Sequence, residues 1–135
     1  MRVMGIVMFA ALSACSGDEG VRAYGAADKV WHLTQIDGAD FGADATLIFP
    51  KAGRVTGRAP CNSWSAPQTA PYPWFDLGPV AAAKMACPDL AAEQRFFDHL
   101  AKMSISEVSG DVLVLSNDQG GEMIFTARSE SPVDP

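Results

Sequence analysis

The stretch ATLIFPKAGRVTGR, residues 45–58, decides the fold. Two short runs rich in β-branched and apolar residues, 45–49 and 54–58, flank the sequence Pro50-Lys51-Ala52-Gly53. Proline presets one backbone angle, and glycine reaches conformations that other residues avoid, so this combination favours a turn. The stretch therefore predicts an antiparallel hairpin and, with it, a β-sheet protein.

Strand-like runs continue on both sides of this hairpin. Most are rich in β-branched or aromatic residues or alternate cleanly between apolar and polar residues. The run at 30–36 stops at the turn signal Asp37-Gly38, and the run at 77–83 is weaker because of its alanines. These further candidates are residues 30–36, 77–83, 104–108, 112–115 and 123–126. Together with the hairpin they make about seven short strands.

One helix is predicted, over residues 89–103. Pro88 suits its first turn, and apolar residues recur at helical spacing to form a core-facing stripe. The stripe consists of Leu90, Phe97, Leu100 and Ala101, widened by Phe96 and Met103. A parallel α/β fold would need several such helices as crossovers. We therefore expect a mainly β fold, either a curved antiparallel sheet or a small barrel, packed by this helix.

The N-terminus has the pattern of a lipoprotein signal. Arg2 precedes an apolar run of about ten residues, which is too short for a membrane-spanning helix. Leu-Ser-Ala-Cys at 12–15 resembles a bacterial lipobox, so residues 1–14 are predicted to be a signal peptide and Cys15 the lipidated first residue. The alternative is an ordinary secretory signal in which Cys15 has no part. The residue after Cys15 is Ser16 and not aspartate, which in a Gram-negative host favours the periplasmic face of the outer membrane.

Length and composition indicate how the rest of the chain is organised. The chain has 135 residues, with 10 Lys+Arg against 16 Asp+Glu and a net charge of −6. This acidic balance argues against a nucleic-acid partner. We expect residues 15–28 to be the lipidated cysteine and a flexible tether, 29–128 one folded domain, and 129–135 a disordered tail. A membrane-anchored monomer is predicted.

Four short motifs follow one another in order along the predicted domain: W-x-L at 31–33, G-R-V-x-G at 53–57, C-N at 61–62 and M-A-C at 85–87. Together they resemble the META/HslJ family. The resemblance implies a mainly antiparallel β fold, with a lipocalin-like small barrel and a helix. It also implies envelope proteins linked with heat shock, antibiotic tolerance or motility, without established enzymatic activity. The chain departs from the family pattern at Pro60, where glycine is usual, and at Ala83, where threonine is usual.

The cysteines predict a disulfide. With Cys15 lipidated, Cys61 and Cys87 remain in an oxidising compartment, 26 positions apart. Two free buried thiols are one alternative. A zinc site that adds His32 and His99 is another, although no metal-ligand spacing supports it.

No catalytic motif is present: the chain has no Gly-x-Ser-x-Gly elbow, P-loop or dinucleotide fingerprint. We expect no enzymatic activity, no cofactor and no metal. The most unusual stretch, residues 60–75, has four prolines and four aromatic residues. It is interpreted either as a binding loop or as a lid over one end of the barrel; the candidate binding residues are Asn62, Trp64, Tyr72 and Trp74.

Three functions remain open for this chain. The leading one is an outer-membrane lipoprotein that supports envelope integrity or stress and antibiotic tolerance through contacts with another envelope protein. The second is a small-ligand or peptide binding module that uses the aromatic loop. The third is an inhibitor or chaperone of another envelope protein.

Overall fold

Nine strands form one antiparallel sheet in a computed structural model, which describes Gly5 and residues 18–128. The strands are β1 Val30–Ile36, β2 Ala39–Asp40, β3 Thr46–Lys51, β4 Arg54–Arg58, β5 Ser63–Pro67, β6 Ala81–Ala82, β7 Ile105–Ser109, β8 Val112–Ser116 and β9 Glu122–Arg128. The described part of the chain also contains one α-helix, α1, at Leu90–Leu100, and a short 3-10 helix at Val21–Tyr24.

The sheet is curved and open. Its strand order is β6-β5-β4-β3-β1-β9-β8-β7, and the short β2 pairs with β1 outside this path. The prediction of a mainly β fold is confirmed, and of its two forms the curved antiparallel sheet is the one observed. The hairpin predicted over residues 45–58 is formed by β3 and β4, and Gly53 has a φ of 77° in the turn between them.

The two ends of the sheet differ in how their edges are covered. At the β7 end, the connection between β5 and β6 lies along the outer edge. Ser106 N donates to Pro73 O at 2.7 Å, and Phe75 N donates to Ser104 O at 2.9 Å. At the other end, β6 pairs with β5 alone. The outer edge of β6 is therefore the edge that the sheet leaves open among the described strands.

The core lies on one face of the sheet, beneath α1. Trp31, Leu47, Val55 and Phe125 alternate with more exposed residues along their strands and are completely buried. This period of two is the one that the sequence displays, because neighbouring side chains of a strand point to opposite faces.

The helix is rotated relative to the predicted stripe. Its buried residues are Glu93, Phe96 and Leu100, while Phe97 is half-buried and Leu90 is exposed. The prediction placed Leu90 and Ala101 in the core, and both are exposed. The difference arises because the buried face of the helix includes a charged residue, Glu93. A search for apolar residues at helical spacing does not detect that residue.

One predicted strand was too long, and one strand was missed. The weak candidate at 77–83 contributes only the two residues of β6, and β5 lies inside the segment that was interpreted as a loop. In β5, buried Trp64 and Ala66 alternate with more exposed neighbours. That alternation was the available signal, and the surrounding prolines obscured it.

The folded unit begins earlier than residue 29. Val21 and Ala26, which were assigned to a flexible tether, are completely buried. The Trp31 indole nitrogen donates to the Ala26 carbonyl at 3.0 Å, and Arg22 Nε donates to the Phe49 carbonyl at 3.0 Å. These contacts hold the segment against the sheet, so the tether prediction is corrected for residues 21–28.

The predicted lipidation site at Cys15 and the predicted tail at 129–135 lie outside the described residues, as does the signal peptide apart from Gly5. Within the described residues, no helix has the length and apolar character needed to cross a membrane.

Candidate functional site

A disulfide ties the end of a hairpin to the start of the helix. Cys61, in the connection between β4 and β5, is bonded to Cys87, three residues before α1, with their Cα atoms 5.7 Å apart. The predicted pairing is therefore present, and it excludes the zinc alternative, which needed both thiols free. Closing a loop of this length stabilises a fold by about 3 kcal/mol in entropic treatments.

Beside the disulfide, a buried carboxylate gathers three hydrogen bonds. Glu93 of α1 is 6% exposed. Its Oε1 accepts from the backbone amides of Cys61 at 3.1 Å and Asn62 at 2.9 Å, and its Oε2 accepts from Asn62 Nδ2 at 2.8 Å. A carboxylate is rarely buried unless its oxygens are satisfied in this way. Glu93 therefore holds the β4–β5 connection against the helix.

The Asn62 side chain extends the sheet beyond β6. Its Oδ1 accepts from Met85 N at 2.9 Å, and its Nδ2 donates to Met85 O at 3.1 Å. This pair of bonds imitates the exchange between two strand residues. Asn62 was one of the candidate binding residues of the sequence interpretation. The structure instead uses its amide to position the M-A-C segment.

The other three candidate binding residues do not share one surface. Trp64 is 4% exposed and packs edge-on against Phe96 and Phe97 of α1. Tyr72 is half-buried and stacks on Tyr24, with ring centroids 4.5 Å apart. Trp74 is 58% exposed. Residues 60–75 are thus divided between a buried strand, which packs under the helix, and a loop at the β7 edge.

A groove of about 520 Å³ lies between the open edge of β6 and α1, and we call it the β6 slot. The segment 80–86 forms one wall, while Leu90, Gln94 and Phe97 contribute from the helix. Among its lining residues, Val80, Met85 and Leu90 are large, apolar and exposed. Ala83 lines the slot as well, so the departure from the family threonine removes a hydroxyl from this wall.

The backbone of segment 80–86 pairs with β5 on one side only. Ala83 N donates to Ser63 O at 3.4 Å, on the side of β5. Backbone direction alternates along a strand, so the amides of Ala82 and Lys84 point away from β5. The slot therefore combines apolar side chains with an unpaired strand edge.

The titratable residues that the prediction weighed lie apart. His99 of α1 is 3.7 Å from an oxygen of Asp37, whereas His32 is on β1 and lines a different cavity, beside Thr46 and Arg58. Within residues 18–128, no three histidines, cysteines, aspartates or glutamates are grouped so that they could hold a metal ion.

The four sequence motifs lie in the core, in the β3–β4 hairpin and around the disulfide. Trp31 is at the centre of the core, Gly53 and Gly57 serve the β3–β4 hairpin, and the C-N and M-A-C segments meet at the disulfide and the slot. A family model described as the META domain matches residues 26–130. The chain belongs to the META domain family.

Two solved structures are similar to this META domain in fold. An NMR structure of a protein from Burkholderia xenovorans has a TM-score of 0.65 and 19% identity, covering 93% of this chain and 100% of its own. A crystal structure of a DUF4847 family protein from Bacteroides vulgatus has a TM-score of 0.61 and 12% identity, covering 83% of this chain and 100% of its own. No curated protein matches the chain.

Proposed function

We propose that this META domain protein is a non-enzymatic envelope lipoprotein that binds an extended segment of another envelope protein in the β6 slot. Through that contact it supports envelope integrity or tolerance of stress and antibiotics. The observation that carries the proposal is the open edge of β6, facing a groove whose other wall is α1.

An open strand edge next to a helix suits one mode of recognition. An extended peptide can add itself as a further strand, with backbone hydrogen bonds supplying affinity and side-chain pockets supplying specificity. The outward amides of Ala82 and Lys84 can provide the backbone hydrogen bonds. The exposed side chains of Met85 and Leu90 can form the walls of a side-chain pocket. Natural sheets often cover such edges, as this one does at β7.

The polar groups of the slot favour binding over catalysis. Asn62 and Glu93 are the buried polar residues of its lining, and both are occupied by hydrogen bonds within the domain. A general acid or base must instead reach a substrate proton from a hydrogen-bonding position. The slot therefore offers shape, apolar surface and backbone groups.

The strand-addition contact is tested by changing one outward amide. Ala82→Pro removes this donor, and proline is tolerated at the edge of a sheet. We expect the wild-type lipoprotein, cross-linked in its native membrane, to co-purify with one envelope protein in stoichiometric amount. The Ala82→Pro variant should retain about tenfold less of that protein, because an acceptor of the partner left unpaired costs about 1–3 kcal/mol and about 1.4 kcal/mol corresponds to a factor of ten.

Ala82→Ser is the matched control, because it changes the same side chain and keeps the amide. The partner should remain with Ala82→Ser. Equal recovery of the partner with Ala82→Pro would contradict strand addition, and a protein that co-purifies with nothing would contradict the proposal as a whole.

Membrane anchoring is tested by the intact mass of the protein purified from its native membrane. We expect a chain that begins at Cys15 and carries added acyl mass, and a 2 Da increase on reduction of the disulfide. Several acyl chains hold a protein on a membrane for long periods, because each buried methylene adds about 0.8 kcal/mol. A Cys15→Ser variant should be recovered without lipid. A wild-type chain of unprocessed mass would refute the lipoprotein assignment.

A small apolar ligand is the second candidate occupant of the slot. Its volume of about 520 Å³ is in the usual range for ligand pockets, and its exposed methionine can adapt to different shapes. Saturable binding of a hydrophobic fluorescent probe, competed by membrane extract but not by an envelope protein, would favour this candidate over the peptide.

A further inference from the structure

A row of hydrogen-bond donors crosses the outer face of the sheet, on the side away from the core. His32 on β1 pairs in register with Thr46 on β3. Ile48 pairs with Thr56, so alternation places Thr46 opposite Arg58 on β4. Arg58 N also donates to Thr46 Oγ1 at 3.1 Å, which fixes the two residues side by side.

Arg128 brings a second guanidinium to the same place. It is the last residue of β9 and pairs with Val30, two positions from His32 on β1. A cavity of about 450 Å³ is lined by His32, Thr46, Arg58 and Arg128, together with Asp44. We call this cavity the arginine pocket.

The arginine pocket has a positive charge on an acidic protein. The chain carries a net charge of −6, yet two arginines and one carboxylate line this cavity. In the part of the chain from 18 to 128, the ion pairs within 4 Å join Asp18 to Arg22, Lys29 to Asp111 and Asp37 to His99. The two guanidinium groups of the pocket belong to none of these pairs, so an outside anion would find them available.

We propose that the arginine pocket binds a phosphate group. Guanidinium forks match phosphate oxygens in a two-bond geometry, and two forks can engage different oxygens of one group. Because Thr46 Oγ1 accepts the Arg58 amide, its hydroxyl hydrogen is free to donate to a ligand. The His32 imidazole adds a fourth donor. A carboxylate has two oxygens for these donors, whereas a phosphate has three or four.

The arginine pocket is independent of the β6 slot. It lies on the outer face of β1, β3, β4 and β9, whereas the slot lies between β6 and α1. The phosphate group could belong to a soluble compound or to the headgroup of an anionic phospholipid, and both share the chemistry that the pocket recognises.

The test uses the full chain, isotope-labelled and held in neutral detergent micelles. Inorganic phosphate is titrated against sodium chloride at equal ionic strength while amide NMR signals are followed. We expect saturable shifts at His32, Thr46 and Arg58. The double variant Arg58→Ala/Arg128→Ala should bind at least about tenfold more weakly, because two charge-assisted contacts are lost.

Two further variants distinguish a loss of the binding site from a loss of net charge and from a loss of folding. Lys51→Ala/Lys102→Ala removes the same charge elsewhere and should bind as the wild type does. Arg58→Lys/Arg128→Lys keeps the charge but not the fork, so it should bind more weakly, and it remains informative if the alanine variant fails to fold.

The source of the phosphate is read from a second titration, with phosphatidic acid added to the same micelles. Saturation by inorganic phosphate supports the site with a soluble ligand. Shifts at the same amides with phosphatidic acid alone, lost in the arginine variants, support it with a lipid headgroup. The proposal is overturned if neither titration moves these signals. It is also overturned if Lys51→Ala/Lys102→Ala weakens phosphate binding as much as Arg58→Ala/Arg128→Ala does.

Discussion

Replacing Glu93 with alanine is expected to lower the free energy of unfolding by at least about 3 kcal/mol. The substitution leaves three donors without an acceptor: the amides of Cys61 and Asn62 and the Asn62 side chain. Each buried donor that loses its partner costs about 1–3 kcal/mol, and Asn62 and Glu93 are both more than nine-tenths buried. Urea denaturation measures the loss.

Gln94→Ala is the matched control for this change, because Gln94 is the next residue of α1 and is exposed. Its effect should remain within about 0.5 kcal/mol. A Glu93→Ala variant that unfolds within that margin of the wild type would show that the three hydrogen bonds contribute little.

The same substitution should also loosen one wall of the β6 slot. Glu93 orients Asn62, and Asn62 in turn binds both backbone groups of Met85. We therefore expect faster hydrogen exchange at the Met85 amide in Glu93→Ala, relative to amides of β8 and β9. This measurement connects the stability of the core to the proposed binding surface.

Replacing Gly57 with alanine is expected to destabilise the domain by about 3 kcal/mol or more, or to prevent folding. A β-carbon at this position would overlap the backbone carbonyl oxygen of Thr46 and would lie 3.0 Å from the Trp64 indole nitrogen. The first neighbour is main chain and the second is a buried ring, so neither can move without disturbing β3 or the core. Thermal unfolding by circular dichroism measures the effect.

Gly120→Ala separates this crowding from backbone strain. Gly120 has a φ of 83° and open space around its β-carbon position. Its replacement should therefore cost only about 1–2 kcal/mol, the usual penalty for a left-handed conformation. If Gly57→Ala proved no more harmful than Gly120→Ala, the close approach of β3 and β4 would not be important for stability.

The two glycines of the G-R-V-x-G motif thus have different physical roles. Gly53 has a φ of 77° in the hairpin turn, where other residues are strained. Gly57 allows the Thr46 carbonyl and the Trp64 ring to come close. The sequence predicted the turn, whereas the need for space at Gly57 becomes evident only when three strands are assembled.

Much of the fold could be predicted because its signals are local. The limits of β1 agree with the predicted run at 30–36, and the hairpin predicted over residues 45–58 forms as β3 and β4. An alternating pattern and a turn signal are each contained within a few residues, so no knowledge of distant contacts is needed. The disulfide was predicted for a different reason: once Cys15 is assigned to lipid, the two remaining cysteines have one intramolecular pairing.

The N-terminal segment shows where local reasoning failed. Residues 16–28 are rich in glycine and were interpreted as a tether. Yet Val21 and Ala26 fill space against the sheet, and Tyr24 stacks on Tyr72. Small apolar residues carry little signal of their own, because their burial depends on a surface formed by chain segments far away.

The candidate site was the least predictable part of the molecule. Three of its components could be predicted from the sequence: the disulfide cysteines, the M-A-C segment and an amphipathic helix. Only the tertiary structure decided that Glu93 faces the core, because its acceptors are matched by donors about 30 positions earlier in the chain. It also decided which sheet edge stays open and which arginines converge. Such features depend on strand order and on contacts between residues far apart in the chain, and no periodicity within one segment records either.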